Sequence, residues 1–171
     1  MWPLVAFALS AAVPNAPVRT VESVDLARYV GVWHEIARYP FRYQEQCVGD
    51  VTATYALRED RRISVVNRCR TADGTMDEAR GVARVVEGSR NTRLKVRFAP
   101  AWLGFLPFVW GDYWVIGLDP DYRWVVVGTP DRKYLWVLAR EAAMTEDDWK
   151  AATAKATENG FDLARLRRTP S

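Results

Sequence analysis

Few residues in this sequence could carry out catalysis, and they are poorly placed for it. There is one histidine, His34, and it neighbours Trp33 in an alternating segment, so the two side chains point to opposite faces. Asp119 and Asp121 are close together, but they lie in a turn and are interpreted as turn and capping residues. Neither a glycine-rich phosphate loop nor a paired metal motif is present. We therefore predict a protein that is not an enzyme and uses no metal or cofactor.

The two cysteines, Cys47 and Cys69, flank a predicted β-hairpin. Residues 51–57 and 63–69 alternate as two strands, and the polar turn 58–62 joins them. Folding the strands back on that turn brings the two cysteines to the same end. An even cysteine count behind an export-like N terminus favours a disulfide, and two buried free thiols are the alternative. Pairing would also remove the only thiol nucleophiles.

Composition and charge narrow the possible partners. A chain of 171 residues fits one domain with a sizeable core. The 24 basic and 21 acidic residues give a net charge of +3, and no compact basic stripe with interleaved aromatic residues is visible. Nucleic acid is therefore not expected as a partner, although a mild preference for anionic surfaces stays open. The 8 tryptophans fit either an aromatic-packed core or an aromatic-lined cavity.

The N-terminal residues resemble an export signal. Residues 2–13 are an apolar run that is too short to span a bilayer, and residues 10–12 are small enough for cleavage. We predict a signal segment and linker over residues 1–18, a single domain over 19–171, and export to the periplasm, with association to the outer membrane left open. Because a positive n-region is missing, a disordered cytosolic tail is the alternative. No cysteine near the start marks a lipid attachment site.

Period-2 alternation recurs along the chain and predicts eight strands. They cover residues 33–39, 51–57, 63–69, 79–87, 94–98, 112–118, 123–128 and 133–140. Short polar connections between them favour a sandwich or an up-and-down barrel. One helix is predicted over residues 146–159, with Thr145 as N-cap, Asp148 completing a capping box, and Gly160 as C-cap. A single helix can lie against the outside of a barrel.

Three separated segments are predicted to meet at one end of such a barrel. They are Gly31 and Trp33 at the start of the first strand, Asp119 and Tyr122 between the sixth and seventh strands, and Arg140 at the end of the eighth. In an up-and-down meander these three points share one end. Trp33 would plug that end. The Arg140 guanidinium could stack on the indole and donate to backbone carbonyls left open by the end loops.

These motifs resemble those of the lipocalin family over residues 24–166. Residues 28–38, 111–115 and 134–140 are most similar to the branch of bacterial outer-membrane lipocalins, plant temperature-induced lipocalins and apolipoprotein D. His34 stands where that branch usually has tyrosine. The lipoprotein cysteine of many bacterial members is absent, which puts covalent membrane anchoring in doubt.

The resemblance implies an all-β fold, an eight-stranded antiparallel up-and-down barrel with one C-terminal helix outside. It also implies that the protein carries or stores a small apolar ligand, typically a fatty acid or lysophospholipid, with a role in membrane maintenance. A barrel of this size has room for one such ligand. The alternatives are a lipocalin-fold enzyme of the isomerase type, or an interaction protein that uses residues 99–110.

Alternation from Trp33 places Glu35, Ala37 and Tyr39 on the inner face of the first strand. Glu35 is costly inside an apolar barrel unless it is hydrogen-bonded, so we expect it to order a polar group or a water. The residues predicted to contact ligand lie toward the open end, with core packing as the alternative role. They are Tyr39, Tyr55, Phe98, Tyr113 and Trp136, with Glu35 as a polar member of the same predicted site.

The connection between the fifth and sixth strands, residues 99–110, is long and almost wholly apolar, whereas loops are normally polar. Its large apolar residues are Trp102, Leu103, Phe105, Leu106, Phe108 and Trp110. Three roles are open: a lid over the barrel mouth, insertion into a membrane surface, or packing on the barrel or on a second subunit of a homodimer. Each role puts the segment close to the route of ligand access.

Overall fold

The structure, a computed structural model, describes residues 16–98 and 110–171. Two α-helices occur in these ranges, α1 (Leu26–Tyr29) and α2 (Glu146–Glu158). The strands within them are β1 (Gly31–Arg38), β2 (Cys47–Leu57), β3 (Ile63–Thr71), β4 (Met76–Val85), β5 (Arg93–Arg97), β6 (Gly111–Leu118), β7 (Trp124–Gly128), β8 (Leu135–Ala139) and β9 (Arg167–Arg168).

Strands β1 to β8 form a closed antiparallel barrel. Each strand pairs with the next in the chain, and β8 pairs with β1, which closes the sheet. The predicted fold and all eight predicted strands are confirmed. Helix α1 and strand β9 were not predicted, because elements of four and two residues are too short to show a hydrophobic period.

Helix α2 lies against the outside of the barrel, as predicted. The Thr145 hydroxyl accepts a hydrogen bond from the amide of Asp148, and Gly160 follows the helix with a φ of +78°. Ala152 and Ala156 of the helix belong to a buried cluster with the outward side chains of the neighbouring strands. Phe161 lies directly over Gly128, where a Cβ would stand 2.6 Å from the ring, so only glycine fits.

A β-bulge reverses the predicted facing of the end of β1. The register against β8 shifts between Glu35 and Ala37, so Ala37 turns outward to the cluster under α2. Tyr39 follows it: its ring lies 6.1 Å from that of Phe161, and its hydroxyl donates to the carbonyl of Asp162 at 2.8 Å. The predictions that Ala37 and Tyr39 face the interior are therefore wrong, and Tyr39 is withdrawn as a ligand contact.

The predicted signal segment falls mostly outside the described residues, since residues 1–15 are not among them. Of the predicted linker, Val18 is buried in the cluster under α2, and the amide of Arg19 donates to Asn159 just beyond that helix. The chain is thus packed on the barrel from about residue 16. No helix within the described ranges is long and apolar enough to cross a membrane.

Candidate functional site: the barrel lumen and its two ends

The closed end of the barrel is sealed by Trp33 and Arg140. Trp33 is fully buried, and the guanidinium carbon of Arg140 lies 3.8 Å from the centre of its ring. The indole nitrogen donates to the carbonyl of Tyr29 at 2.8 Å. Gly31 has a φ of +105°, and a Cβ there would lie 3.2 Å from Nη1 of Arg140. The predicted stack of arginine on tryptophan is confirmed.

Arg140 also holds the chain that enters the barrel. Its guanidinium nitrogens donate to four carbonyls at 2.7 to 3.1 Å, those of Arg28, Tyr29, Val30 and Val32. These residues span the end of α1 and the start of β1, so their carbonyls would otherwise be left without helix or sheet partners. One side chain therefore satisfies the backbone of the plug.

The Asp119–Tyr122 turn completes the closed end. The carboxylate of Asp119 accepts hydrogen bonds from the amides of Asp121 and Arg123 and from the guanidinium of Arg123. The hydrogen bond from Arg123 is the main cause that lowers the pKa of Asp119. The Tyr122 hydroxyl accepts from the amide of Asp25 at 2.9 Å. The three predicted segments do meet, and the two aspartates act in the turn.

Above the plug, three tyrosines join their hydroxyls inside the lumen. The hydroxyls of Tyr29 and Tyr113 are 2.6 Å apart, and Tyr113 donates to Tyr55 at 3.1 Å. Burial raises the pKa of all three, that of Tyr55 to about 12, so they stay protonated. The cavity they line with aliphatic side chains holds about 10 Å³, roughly one water. The closed half of the lumen is thus occupied by the protein itself.

The open half of the lumen keeps apolar side chains in partial contact with solvent. Trp136 is half-buried, and its ring packs edge-on against Phe41 at 5.5 Å. Phe98 is 44% exposed and lies over Gly81, where a Cβ would stand 2.8 Å from its ring. Gly81 pairs with Val65, which belongs to the inner cluster, so Phe98 lies on the lumen side. Tyr55, Phe98, Tyr113 and Trp136 all face the lumen as predicted. The prediction that they lie toward the open end is wrong for Tyr55 and Tyr113, which meet Tyr29 in the closed half. Contact with ligand stays a prediction.

Glu35 is the polar centre of the open half. Its side chain is only 3% exposed, and Oε1 accepts from Arg38 at 2.5 Å and from the hydroxyl of Thr169 at 2.6 Å. Oε2 accepts from the amide of Gln44 at 3.0 Å, and Gln44 Oε1 in turn accepts from the indole nitrogen of Trp136. The expectation that Glu35 orders polar groups is confirmed. Both oxygens of its carboxylate already accept hydrogen bonds from protein side chains, which favours a structural role for Glu35 over ligand contact.

The C-terminal tail closes a seam in the barrel wall that the sequence did not reveal. Strands β1 and β2 pair only from Gly31–His34. Beyond that point β9 pairs with the end of β1, the amide of Thr169 donates to Ile36, and the carbonyl of Pro170 accepts from Asp50 of β2. The tail therefore lies between β1 and β2. A two-residue strand carries no periodic signal from which it could have been found.

Two further predictions concern the open end. A disulfide joins Cys47 to Cys69, as predicted, and ties β2 to β3. Of the apolar connection, residues 99–109 lie outside the described residues, and with them Trp102, Leu103, Phe105, Leu106 and Phe108. Trp110 is described, and its ring lies on the outer wall beside Arg84 and Arg97 rather than over the mouth.

Within residues 16–98 and 110–171, no three histidine, cysteine or carboxylate side chains are grouped closely enough to hold a metal ion. His34 lies opposite Ala139, which belongs to the cluster under α2, so the imidazole is on the outer side.

Comparisons with known proteins agree with this architecture. A model of the lipocalin-like domain matches residues 24–171. The chain is 39% identical to temperature-induced lipocalin-1 of Arabidopsis thaliana over 90% of this chain and 82% of that protein. It is 38% identical to outer membrane lipoprotein Blc of Escherichia coli (strain K12) over 93% of this chain and 86% of that protein.

Among solved structures, insecticyanin from the tobacco hornworm Manduca sexta superimposes with a TM-score of 0.70 at 18% identity, covering 90% of this chain and 84% of that one. That likeness supports the fold. The motif residues at the closed end and the match over nearly the whole chain lead to one conclusion: this protein belongs to the lipocalin family.

Proposed function

We propose that this protein binds a fatty acid or a lysophospholipid in the open half of its lumen and carries or stores it, with a role in membrane maintenance. The observation that carries the proposal is the incomplete burial of apolar side chains that point into the barrel. Phe98 and Trp136 keep solvent contact there, whereas the residues under α2 are almost completely buried. Exposed apolar surface inside a concave site favours an apolar ligand.

A single acyl chain suits the shape of this space. The tyrosine cluster of Tyr29, Tyr55 and Tyr113 limits its depth, so a chain end would stop against their rings. Polar groups collect at the open side, where Gln44 and Arg38 stand beside Glu35. We infer that the polar head group stays at the mouth. The chain is also 28% identical to apolipoprotein D of Mus musculus over 91% of this chain, and that relative's lipid-associated name supports a lipid rather than another apolar compound.

A binding role is favoured over catalysis. The lumen carboxylate of Glu35 is paired with Arg38 and hydrogen-bonded to Gln44 and Thr169, so it is poorly suited to act as an acid or base. The cysteines form a disulfide, which also suits an oxidising compartment. Together with the outer-membrane location named for the relative, this supports export to the periplasmic side.

The test is a titration of delipidated protein. The protein, made in its own host, is extracted with organic solvent, and the extract is examined by mass spectrometry for bound lipid. The stripped protein is then titrated with a fatty acid and with a lysophospholipid by calorimetry and tryptophan fluorescence. We expect saturable binding with a Kd of about 10 µM or tighter, and about tenfold weaker binding by Trp136→Ala, which removes a ring from the lumen wall.

Trp149→Ala is the matched control, because Trp149 packs outside the barrel between α2 and Arg168. It should leave the Kd unchanged. If no lipid is extracted and neither ligand shows saturable binding, the proposal is wrong and the lumen is filled by protein side chains.

A further inference from the structure

The outer wall of β4, β5 and β6 carries a basic stripe that appears only when the chain is folded. Alternation along β5 turns Leu94 and Val96 inward, so Arg93, Lys95 and Arg97 all point outward. On an extended strand these three cations stand about 7 Å apart. The adjacent strand β4 adds Arg80 and Arg84 to the same face.

Two tryptophans are interleaved with these cations. The guanidinium carbons of Arg84 and Arg97 lie 4.4 Å and 5.0 Å from the ring centre of Trp110. That of Arg93 lies 4.4 Å from the ring of Trp114. A guanidinium stacked on an aromatic ring keeps its N–H donors at the edge, where they can still bind an anion in the plane.

Charge on this wall is unbalanced. Two carboxylates on this wall, Glu78 and Asp112, offset part of the positive charge of five cations, which are Arg80, Arg84, Arg93, Lys95 and Arg97. The remaining excess of three positive charges equals the net charge of the whole chain. Glu78 pairs with Arg80 at 2.6 Å and Asp112 with Lys95 at 2.5 Å. Among the described residues, Arg84 and Arg93 have indole rings as their partners and no carboxylate.

We propose that this outer wall is a docking face for an anionic phospholipid bilayer. Lipid phosphates would accept hydrogen bonds from the arginine edges, and the indoles of Trp110 and Trp114 suit the head-group level, which tryptophan favours. The sequence just before Trp110, residues 99–109, contains no charged residue, which suits an apolar surface and not a polyanion in water. The docking face lies outside the lumen, so this inference does not depend on the identity of the carried ligand.

The test is co-sedimentation of the full chain with vesicles. One set contains phosphatidylglycerol and phosphatidylcholine in a ratio of one to two, and the other is pure phosphatidylcholine. We expect roughly hundredfold stronger partitioning to the anionic vesicles at about 0.05 M salt, and most of that preference lost at about 0.5 M salt. Each basic side chain removed should lower partitioning about fivefold.

The decisive variant is the double change Arg84→Gln and Arg93→Gln, which removes two cations whose only described partners are indoles. Arg19→Gln with Lys150→Gln is the matched control, since both residues are exposed near α2 and the loss of charge is the same. We expect the first double variant to lose roughly 25-fold in partitioning and the control less than threefold. Trp136→Ala should partition like the wild type, which separates docking from ligand binding.

Three outcomes would overturn the proposal. The protein could partition equally to both vesicle types, or the two double variants could lose partitioning to the same extent, as overall charge alone would cause. A single-stranded oligonucleotide, tested at the same salt, could bind more tightly than the anionic vesicles, and the face would then recognise nucleic acid. A circular dichroism spectrum and melting curve for each variant exclude misfolding as the cause of a loss.

Discussion

The two ends of this barrel satisfy their buried polar groups in opposite ways. At the closed end one side chain, Arg140, donates to four carbonyls and stacks on a fully buried tryptophan. At the open end one acceptor, Glu35, collects hydrogen bonds from three parts of the chain: β1, the β1–β2 connection and the C-terminal tail. Above the first end three tyrosine hydroxyls meet inside the lumen, and at the second Phe98 and Trp136 keep solvent contact.

This difference separates the densely packed end of the barrel from the end where we propose that a ligand binds. The plug is a dense arrangement in which Trp33 has no exposed surface. The open end is held together by polar side chains around Glu35, which link β1, the β1–β2 connection and the C-terminal tail. Phe98 and Trp136 keep solvent contact on the lumen side. Ligand access is expected from the open end.

The largest effect is expected from breaking the plug. Arg140→Ala removes four hydrogen bonds to carbonyls and the stack on Trp33, and should lower the free energy of unfolding by about 3–4 kcal/mol, measured by urea titration. Arg42→Ala, at the open end, removes an exposed arginine beside the ring of Tyr43 and should cost less than about 0.5 kcal/mol. A similar small loss in both variants would show that the closed end is not the more stable one.

A somewhat smaller effect is expected from alkaline pH. Because burial raises the pKa of Tyr55 to about 12 while the unfolded value is near 10, the unfolded chain loses this proton first. Stability is therefore unaffected below about pH 10 and falls between about pH 10 and 12, by roughly 3 kcal/mol for Tyr55 alone. Urea titrations across this range measure the slope, which Tyr55→Phe should reduce. Tyr43→Phe, whose ring is 70% exposed, is the control. An unchanged slope in Tyr55→Phe would contradict the assignment.

The smallest effect is expected at the seam beside Glu35. Thr169→Val keeps the shape of the side chain but removes the hydroxyl that donates to Oε1 of Glu35, and should cost about 1 kcal/mol in urea titration. Thr169→Ser keeps the donor and should cost less. In a double-mutant cycle with Glu35→Gln, the two changes should couple by more than about 0.5 kcal/mol. Strict additivity would mean that the tail is held by its backbone bonds alone.

Prediction from the sequence was most accurate for the regular elements, whose side chains repeat with a fixed period. Alternation located the eight strands to within a few residues, and the capping pattern located α2 to within one residue at its C-terminal end. It failed at β1, because a single extra residue between Glu35 and Ala37 shifts every later side chain to the other face. That error moved Tyr39 from the outer cluster into the predicted site. Nothing in the residue types marks the bulge, since Ile36 and Ala37 are both apolar and either could face the interior.

By itself, the sequence determined the barrel, the disulfide and the closed end. Alternation indicated the strands and the hairpin that carries the cysteines but left a sandwich or a barrel open. The resemblance of the motif residues to the lipocalin family decided for the barrel, in which those residues meet at one end. Tertiary structure alone decided the partners of Glu35, the place of the tail between β1 and β2, and the basic stripe on β4 to β6. The physical reason is distance along the chain. Hydrophobic periodicity relates only residues that are close in sequence, whereas Thr169 contacts Glu35, and Trp110 contacts Arg84, because the folded strands bring distant residues together.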